Sequence, residues 1–348
     1  MTIPSPYIND ILNQPAALRD ALEHYPVGAL KEAAQRFARG EFDRIVVTGM
    51  GGSYSGSIPA VEMLAHTGVP VIWLETSELI HYQMDQISPR TLLWVISQSG
   101  FSAEIILLLE MVKDNPPAYT IGVTNTLDSP VGRSCQVVLP LSAGPEFTVS
   151  TKTYLNTVTV MQLAALELTG QSLDSAFLEF RKAADAVADF LSTWEERVAA
   201  LKTDLGERVQ RMLLVGRGRS RATVVTGSLI LKEAAKVIVE GMTTSFFRHG
   251  PLELADEKLT LLVLAGPAKT QGINRALAVE AAGYGAQIVW ISTAKDAELP
   301  TMLLPEVGEM ALPIVEILPM QMMTIAFGEL NGVQPGIFRH MGKITHNE

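Results

Sequence analysis

Three hydroxyls fall within six residues at Ser97-Gln98-Ser99-Gly100-Phe101-Ser102, directly after an apolar run that reads as a buried strand. That arrangement suits an anion. A helix beginning near Phe101 leaves its first N–H groups without intrahelical acceptors and carries partial positive charge at that end. The serines and the Gln98 amide add donors without adding charge, and Gly100 lets the backbone curl close to a ligand. An ordinary helix cap is the competing explanation, but one serine is enough for that. The loop has no lysine of the nucleotide-binding type, so a single phosphoryl group fits better than a triphosphate. A second turn, Gly49-Met50-Gly51-Gly52-Ser53, also follows a strand-like run. Tyr54 stands where a dinucleotide fingerprint needs its third glycine, which argues against that cofactor class.

Two further residues have the types that acid–base chemistry uses. Glu233 lies in a helical pattern, and His249 precedes Gly250-Pro251, which places its imidazole on a loop. Lifting a carbon-bound proton beside a carbonyl needs a held carboxylate. Moving a ring-oxygen proton suits an imidazole that titrates near neutrality. Taken alone, each residue is better explained as a structural position. His24, His66, His81, His340 and His346 show no metal-ligand spacing, and Cys135 is the single cysteine. The expectation is a mechanism with no metal and no cofactor, and no internal disulfide.

The elements that must carry these residues alternate between strand and helix. Residues 44–48, 69–74, 91–96, 118–123 and 136–139 are β-rich and separated by helical or turn-like stretches, which predicts a parallel sheet covered on both faces. The second half repeats the pattern. RMLLVG at 211–216 mirrors RIVVTG at 44–49, and LTLLVLAG at 259–266 mirrors TLLWVISQSG at 91–100. Gly49 to Ser97 spans 48 positions and Gly216 to Ala265 spans 49. The reading is an α/β chain of two doubly wound domains: a helical segment at 1–40, a first domain at 41–175, a linking helix at about 176–205 and a second domain at 206–348. Residues 172–205, without proline or glycine and rich in Ala, Glu, Lys and Leu, favour that helix.

Composition narrows the partners. Charged residues make up 18% of the chain, below the roughly 25% of an average soluble protein, so part of the surface is expected to be covered by a second copy. A net charge of −10 argues against nucleic acid. The apolar runs read from the sequence fall short of the ~18 residues of a membrane span. The opening MTIPSPYIND lacks the basic-then-apolar pattern of a secretory signal, so the cytoplasm is the expected compartment. The methionines at 320–323 read as core packing.

Five motifs, in order, carry a resemblance: TGMGGSYSG at 48–56, ISQSGFSAE at 96–104, AGPEFTVSTKTY at 143–154, LKE with FFRHGP at 231–233 and 246–251, and GKIT at 342–345. Together they resemble the sugar isomerase (SIS) family, in particular the isomerase half of glucosamine-6-phosphate synthase. They are equally similar to the single-chain relatives built from two SIS domains, the amino-sugar-phosphate deaminases and the deglycases of sugar–amine adducts. The resemblance implies two tandem SIS domains and a phosphorylated sugar as ligand. It implies that Ser97, Gln98, Ser99 and Ser102 hold the phosphate, and that Gly51, Gly52, Ser53 and Ser150 line the phosphate or sugar hydroxyls. Glu233 becomes the proton-transferring base, His249 the ring-opening partner, and Lys343 a lysine that closes over the sugar. A homodimer follows too, with His249 reaching the neighbouring subunit's site. Two departures stand out. The AGPE…STK stretch is one residue short, and Ile230 and Thr226 replace a lysine and an acid of the synthase pattern. The implied activity is isomerisation or deamination of an (amino)hexose 6-phosphate through an enolised open-chain form. A fructosyl-amine 6-phosphate deglycase is the close alternative, and a non-catalytic sugar-phosphate sensor the alternative of another class.

Overall fold

The computed structural model describes residues 4–206 and 211–346. Two parallel five-stranded sheets, flanked by helices, form the frame. The first contains β1 (Arg44–Gly49), β2 (Val71–Glu75), β3 (Thr91–Ile96), β4 (Tyr119–Thr124) and β5 (Val137–Pro140), in the order β2-β1-β3-β4-β5. The second contains β6 (Arg211–Gly216), β7 (Val239–Thr243), β8 (Leu259–Leu264), β9 (Gln287–Ser292) and β10 (Thr301–Leu303), in the order β7-β6-β8-β9-β10. The two orders are the same, which is the α/β architecture the alternating pattern predicts. The central strands β3 and β8 are buried at all six positions, as parallel strands covered on both faces must be. Three strands of the second half escaped the sequence reading. β7 carries a glycine and two partly or fully exposed positions, and β10 is three residues long, so neither offers a clear period.

The chain divides into two compact units. One comprises Ala16–Glu146, Ser150–Arg181 and His340–Glu348; the other comprises Met1–Pro15, Phe147–Val149 and Lys182–Arg339. The backbone thus passes between units more often than boundaries near 40, 175 and 205 imply. Specific buried bonds explain the exchange. In the unit of the second sheet, the Tyr7 hydroxyl meets Thr324 Oγ1 at 2.8 Å, and Gln14 and Gln321 exchange amide bonds at 2.7 and 2.8 Å. The stretch read as one linking helix is two, Asp174–Leu191 and Trp194–Leu205. Ser192 Oγ turns back onto the Asp189 carbonyl at 2.7 Å, a local bond that competes with helix continuation.

Each unit has one buried helix at its centre. Lys152–Leu168 serves the first sheet and is buried at every position but Glu167. Leu312–Leu330 serves the second and includes the methionines at 320, 322 and 323, all buried as core. The 22-residue segment Glu309–Leu330 is apolar and long enough to cross a membrane by length and composition, and 89% of its apolar window is buried inside the protein. The sequence reading missed this run because Glu316, Gln321 and Thr324 interrupt it.

Glu316 is the one ionisable group among these, and it is buried. It accepts from Ser220 Oγ at 2.8 Å and from Thr223 Oγ1 at 3.3 Å. Burial pushes its carboxyl up from 4.5 to about 7, against the opposing pull of those hydroxyls and of Arg219. A raised acid favours the fold below the unfolded value and loses that contribution as pH rises through the folded one. Stability should therefore fall by on the order of 3 kcal/mol between pH 4.5 and 7 on this account. Glu316→Gln should remove that slope, as read by urea unfolding at pH 5 and pH 7.5. An unchanged slope in the variant would dismiss Glu316 as its source.

Candidate functional site

The first sheet reverses its strand order between β1 and β3, and loops leaving the carboxyl ends of such a pair flank a ligand crevice. Gly49 ends β1 so close to β3 that a Cβ there would sit 2.7 Å from the Ile96 carbonyl oxygen. Gly51, with φ +52°, then turns the chain into the short helix Gly51–Gly56. Ser53 Oγ accepts the Gln98 N–H at 3.1 Å and so ties this turn to the serine loop. Gly52 packs on Ser150, whose Oγ would lie 3.1 Å from a Cβ at position 52 and which shares a 2.9 Å bond with Thr153 Oγ1.

The serine loop holds itself in shape. Ser97 Oγ accepts from the Gly100 N–H at 3.0 Å, and Ser99 Oγ from the Phe101 N–H at 3.1 Å. Each hydroxyl oxygen is therefore occupied as an acceptor while its proton remains available to a ligand oxygen. Both serines are buried and Gln98 is half-buried, its carbonyl fixed by the Asn125 N–H at 3.0 Å. The helix begins two residues later than expected, as Ala103–Met111. Ser102 is its extended N-cap residue, yet its side chain makes no capping bond. Simple capping therefore does not explain this third serine.

The same unit contributes one charged pair that the sequence reading did not single out. Glu146, quoted there only as a letter of its motif, has a side chain that is 0% exposed and bonds Lys343 Nζ at 2.6 Å. Burial raises its carboxyl, but the charge and hydrogen bond of Lys343 and the N–H groups of Thr153 and Thr151 outweigh burial. The net effect holds it below the usual carboxylate range. The signal available in the sequence was an acid in a Gly-Pro turn followed by Ser-Thr-Lys-Thr. Lys152 of that run gives its ammonium to the Pro145 carbonyl at 2.5 Å.

Glu233 and His249 belong to the other unit. Glu233 sits in the last turn of the helix Arg221–Ala235 and is half-buried. The helix stops at Lys236, which takes a left-handed conformation at φ +58° and turns its ammonium back to the Glu233 carbonyl and to the Ile337 carbonyl, the latter at 2.8 Å. Burial and the nearby Arg339 lower Lys236, with Glu233 opposing them. Ile230 and Thr226, the two departures from the synthase pattern, are fully buried, so that face of the helix is core. His249 is exposed on the turn that ends the helix Thr244–Arg248, and Gly250 follows it at φ +141°. Among the described residues, Ile238 at 89% and Phe246 at 62% are the most exposed of several large apolar side chains open to solvent in the same unit.

Comparison with known proteins gives concordant findings. The SIS domain family model matches residues 41–167 and 207–327. A glutamine–fructose-6-phosphate aminotransferase (isomerizing) of Pyrococcus horikoshii is 30% identical over 97% of this chain and 56% of its own length. The chain spans about half the length of the curated relatives it matches. Among solved structures, the C-terminal domain of glucosamine-fructose-6-phosphate aminotransferase from Francisella tularensis superposes with a TM-score of 0.80 at 18% identity, covering 96% of this chain and 98% of that one. A glucosamine-6-phosphate deaminase from Thermotoga maritima gives 0.79 at 17% identity, covering 98% and 99%.

Proposed function

Because this chain belongs to the SIS domain family, we propose that it is a metal-independent enzyme of hexose or amino-hexose 6-phosphates that moves a proton between C1 and C2 of the open-chain sugar. The observation that carries the reading is the serine loop, where Ser97 and Ser99 have satisfied oxygens and donor protons to spare at the switch point of a parallel sheet. Ser97, Gln98, Ser99 and Ser102 bind the phosphate; Gly51, Gly52, Ser53 and Ser150 shape the adjoining wall. Glu233 lifts and returns the carbon-bound proton, and His249 serves the ring oxygen. Names of the relatives, an aminotransferase and a deaminase, support an amino sugar. The apolar burial of Ile230 and Thr226 weighs against the synthase reaction itself and keeps the fructosyl-amine deglycase as the second reading. The test is a panel of hexose phosphates, amino-sugar phosphates and fructosyl-amine phosphates, followed for isomer, ammonia and free amine. Tight binding without turnover of any of them would favour a sensor.

The same reading makes the protein a homodimer in which His249 serves the neighbouring copy's sugar. The low charged fraction of the chain supports this, and Phe246 and Ile238, in the same unit as His249, are apolar side chains that a second copy would cover. Mixing Glu233→Gln and His249→Asn chains, each inactive alone, should then restore activity in the hybrid dimer. A mixture as inactive as its components would reject the shared site.

A further inference from the structure

Glu146 has an arrangement that exceeds what a turn needs. Its Oε1 accepts the Thr151 N–H at 2.9 Å, the Thr151 hydroxyl at 3.0 Å and the Thr153 N–H at 3.1 Å. Its Oε2 accepts the Thr153 hydroxyl at 2.7 Å and the Lys343 ammonium at 2.6 Å. Four of these five donors come from the start of the helix Lys152–Leu168, a rigid element. The carboxylate is therefore oriented by its own neighbourhood, and the fifth position is left for a cation from the distant tail. An enclosed carboxylate without a cation is costly, so charge, and not shape alone, specifies which tail residue sits there.

The tail has a second fixed point. Two residues beyond Lys343, the Thr345 carbonyl accepts the N–H of Ala103 at 3.1 Å, the first residue of the helix after the serine loop. One anchor thus holds the lysine, and the other seats the tail on the start of the helix that follows the loop assigned to the phosphate.

We propose that Glu146 is the positioning residue for Lys343, fixing its ammonium beside the serine loop so that it is presented to a sugar phosphate held there. The proposal rests on the sugar-phosphate reading above. Glu146 itself does not touch the sugar and acts only through the lysine.

Two measurements test it, one of which needs no substrate. Acetylation of lysines in the folded protein, read by mass spectrometry of the C-terminal peptide, should modify Lys343 slowly in the parent. In Glu146→Gln the rate at Lys343 should rise at least ~10-fold, the factor expected for loss of a hydrogen bond between charged groups. Equal rates would overturn the proposal. Thr153→Val, which removes one orienting hydroxyl and keeps the ion pair, should move the rate in the same direction by less. Should the glutamine variant fail to fold, an unchanged rate in Thr153→Val would overturn the proposal instead. The second measurement is a double-mutant cycle on kcat/KM with the best substrate. Lys343→Met combined with Glu146→Gln should be no worse than Lys343→Met alone, because both remove one function. Losses that multiply would show Glu146 acting independently of the lysine and would sink the idea. Absence of turnover in the parent would count against the enzyme reading, while the acetylation rates would still decide the role of Glu146.

Discussion

Glu233→Gln should lower turnover at least ~100-fold, the lower end for loss of a general base, and leave sugar-phosphate affinity nearly unchanged. The amide keeps the shape of the carboxylate and most of its hydrogen bonds but cannot accept a carbon-bound proton. A hydrogen on carbon beside a carbonyl is a very weak acid, so the base must be held in place rather than supplied by a mobile loop. Glu233 meets that demand through its helix end. The Ala235 carbonyl accepts from Asn331 Nδ2 at 3.3 Å, and Lys236 closes back onto the Glu233 carbonyl. The serine loop, to which the phosphate is assigned here, lies in the other unit and is untouched by the substitution. The decisive measurement is exchange at C1 and C2 in deuterated water, followed by NMR with the purified variant. Exchange at the parent rate would remove Glu233 from the chemistry and leave another base or a sensor as the better account.

The second large effect should come from Gly100→Ala, a change of one methyl group. Gly100 has φ +71°, and a Cβ there would stand 2.1 Å from Ser129 Oγ and 2.5 Å from Ser129 Cβ. Ser129 cannot retreat easily. It is fully buried and caps the helix Pro130–Ser134 by accepting the Gly132 N–H at 3.2 Å. The left-handed conformation alone costs about 1–2 kcal/mol for a residue with a Cβ. Relief of the clash must then move the N–H of Gly100 away from Ser97 Oγ and distort the whole loop. Loss of two donors to a charged phosphoryl group corresponds to roughly 100-fold or more in affinity. Calorimetry with a sugar phosphate would measure it. Gly144→Ala is the matched control, because Gly144 is also left-handed, at φ +64°, but no atom lies within 4 Å of its missing Cβ. If Gly100→Ala bound as tightly as Gly144→Ala, the serine loop would not be the phosphate site.

Features that depend on neighbours along the chain are legible from residue types and spacing alone. β1 and β3 were legible as apolar runs ending in glycine-containing turns, because burial on both faces of a parallel sheet imposes that composition locally. The donor-rich, uncharged character of residues 97–102 and the repeat of strand and turn in the second half were legible for the same reason. Tertiary structure decided the rest. The partner of Lys343 lies 197 residues away at Glu146, and no local pattern links the two. The core helix Leu312–Leu330 was hidden by Glu316, Gln321 and Thr324, which are buried with partners such as Ser220, Gln14 and Tyr7 that arrive from elsewhere in the chain. Gly100 could be read as a permissive residue, but that it is required there follows from Ser129, which the fold brings to within a methyl radius. Periodicity is written into adjacent residues; charge pairing, close approach and the satisfaction of buried polar groups are decided by residues that only folding brings together.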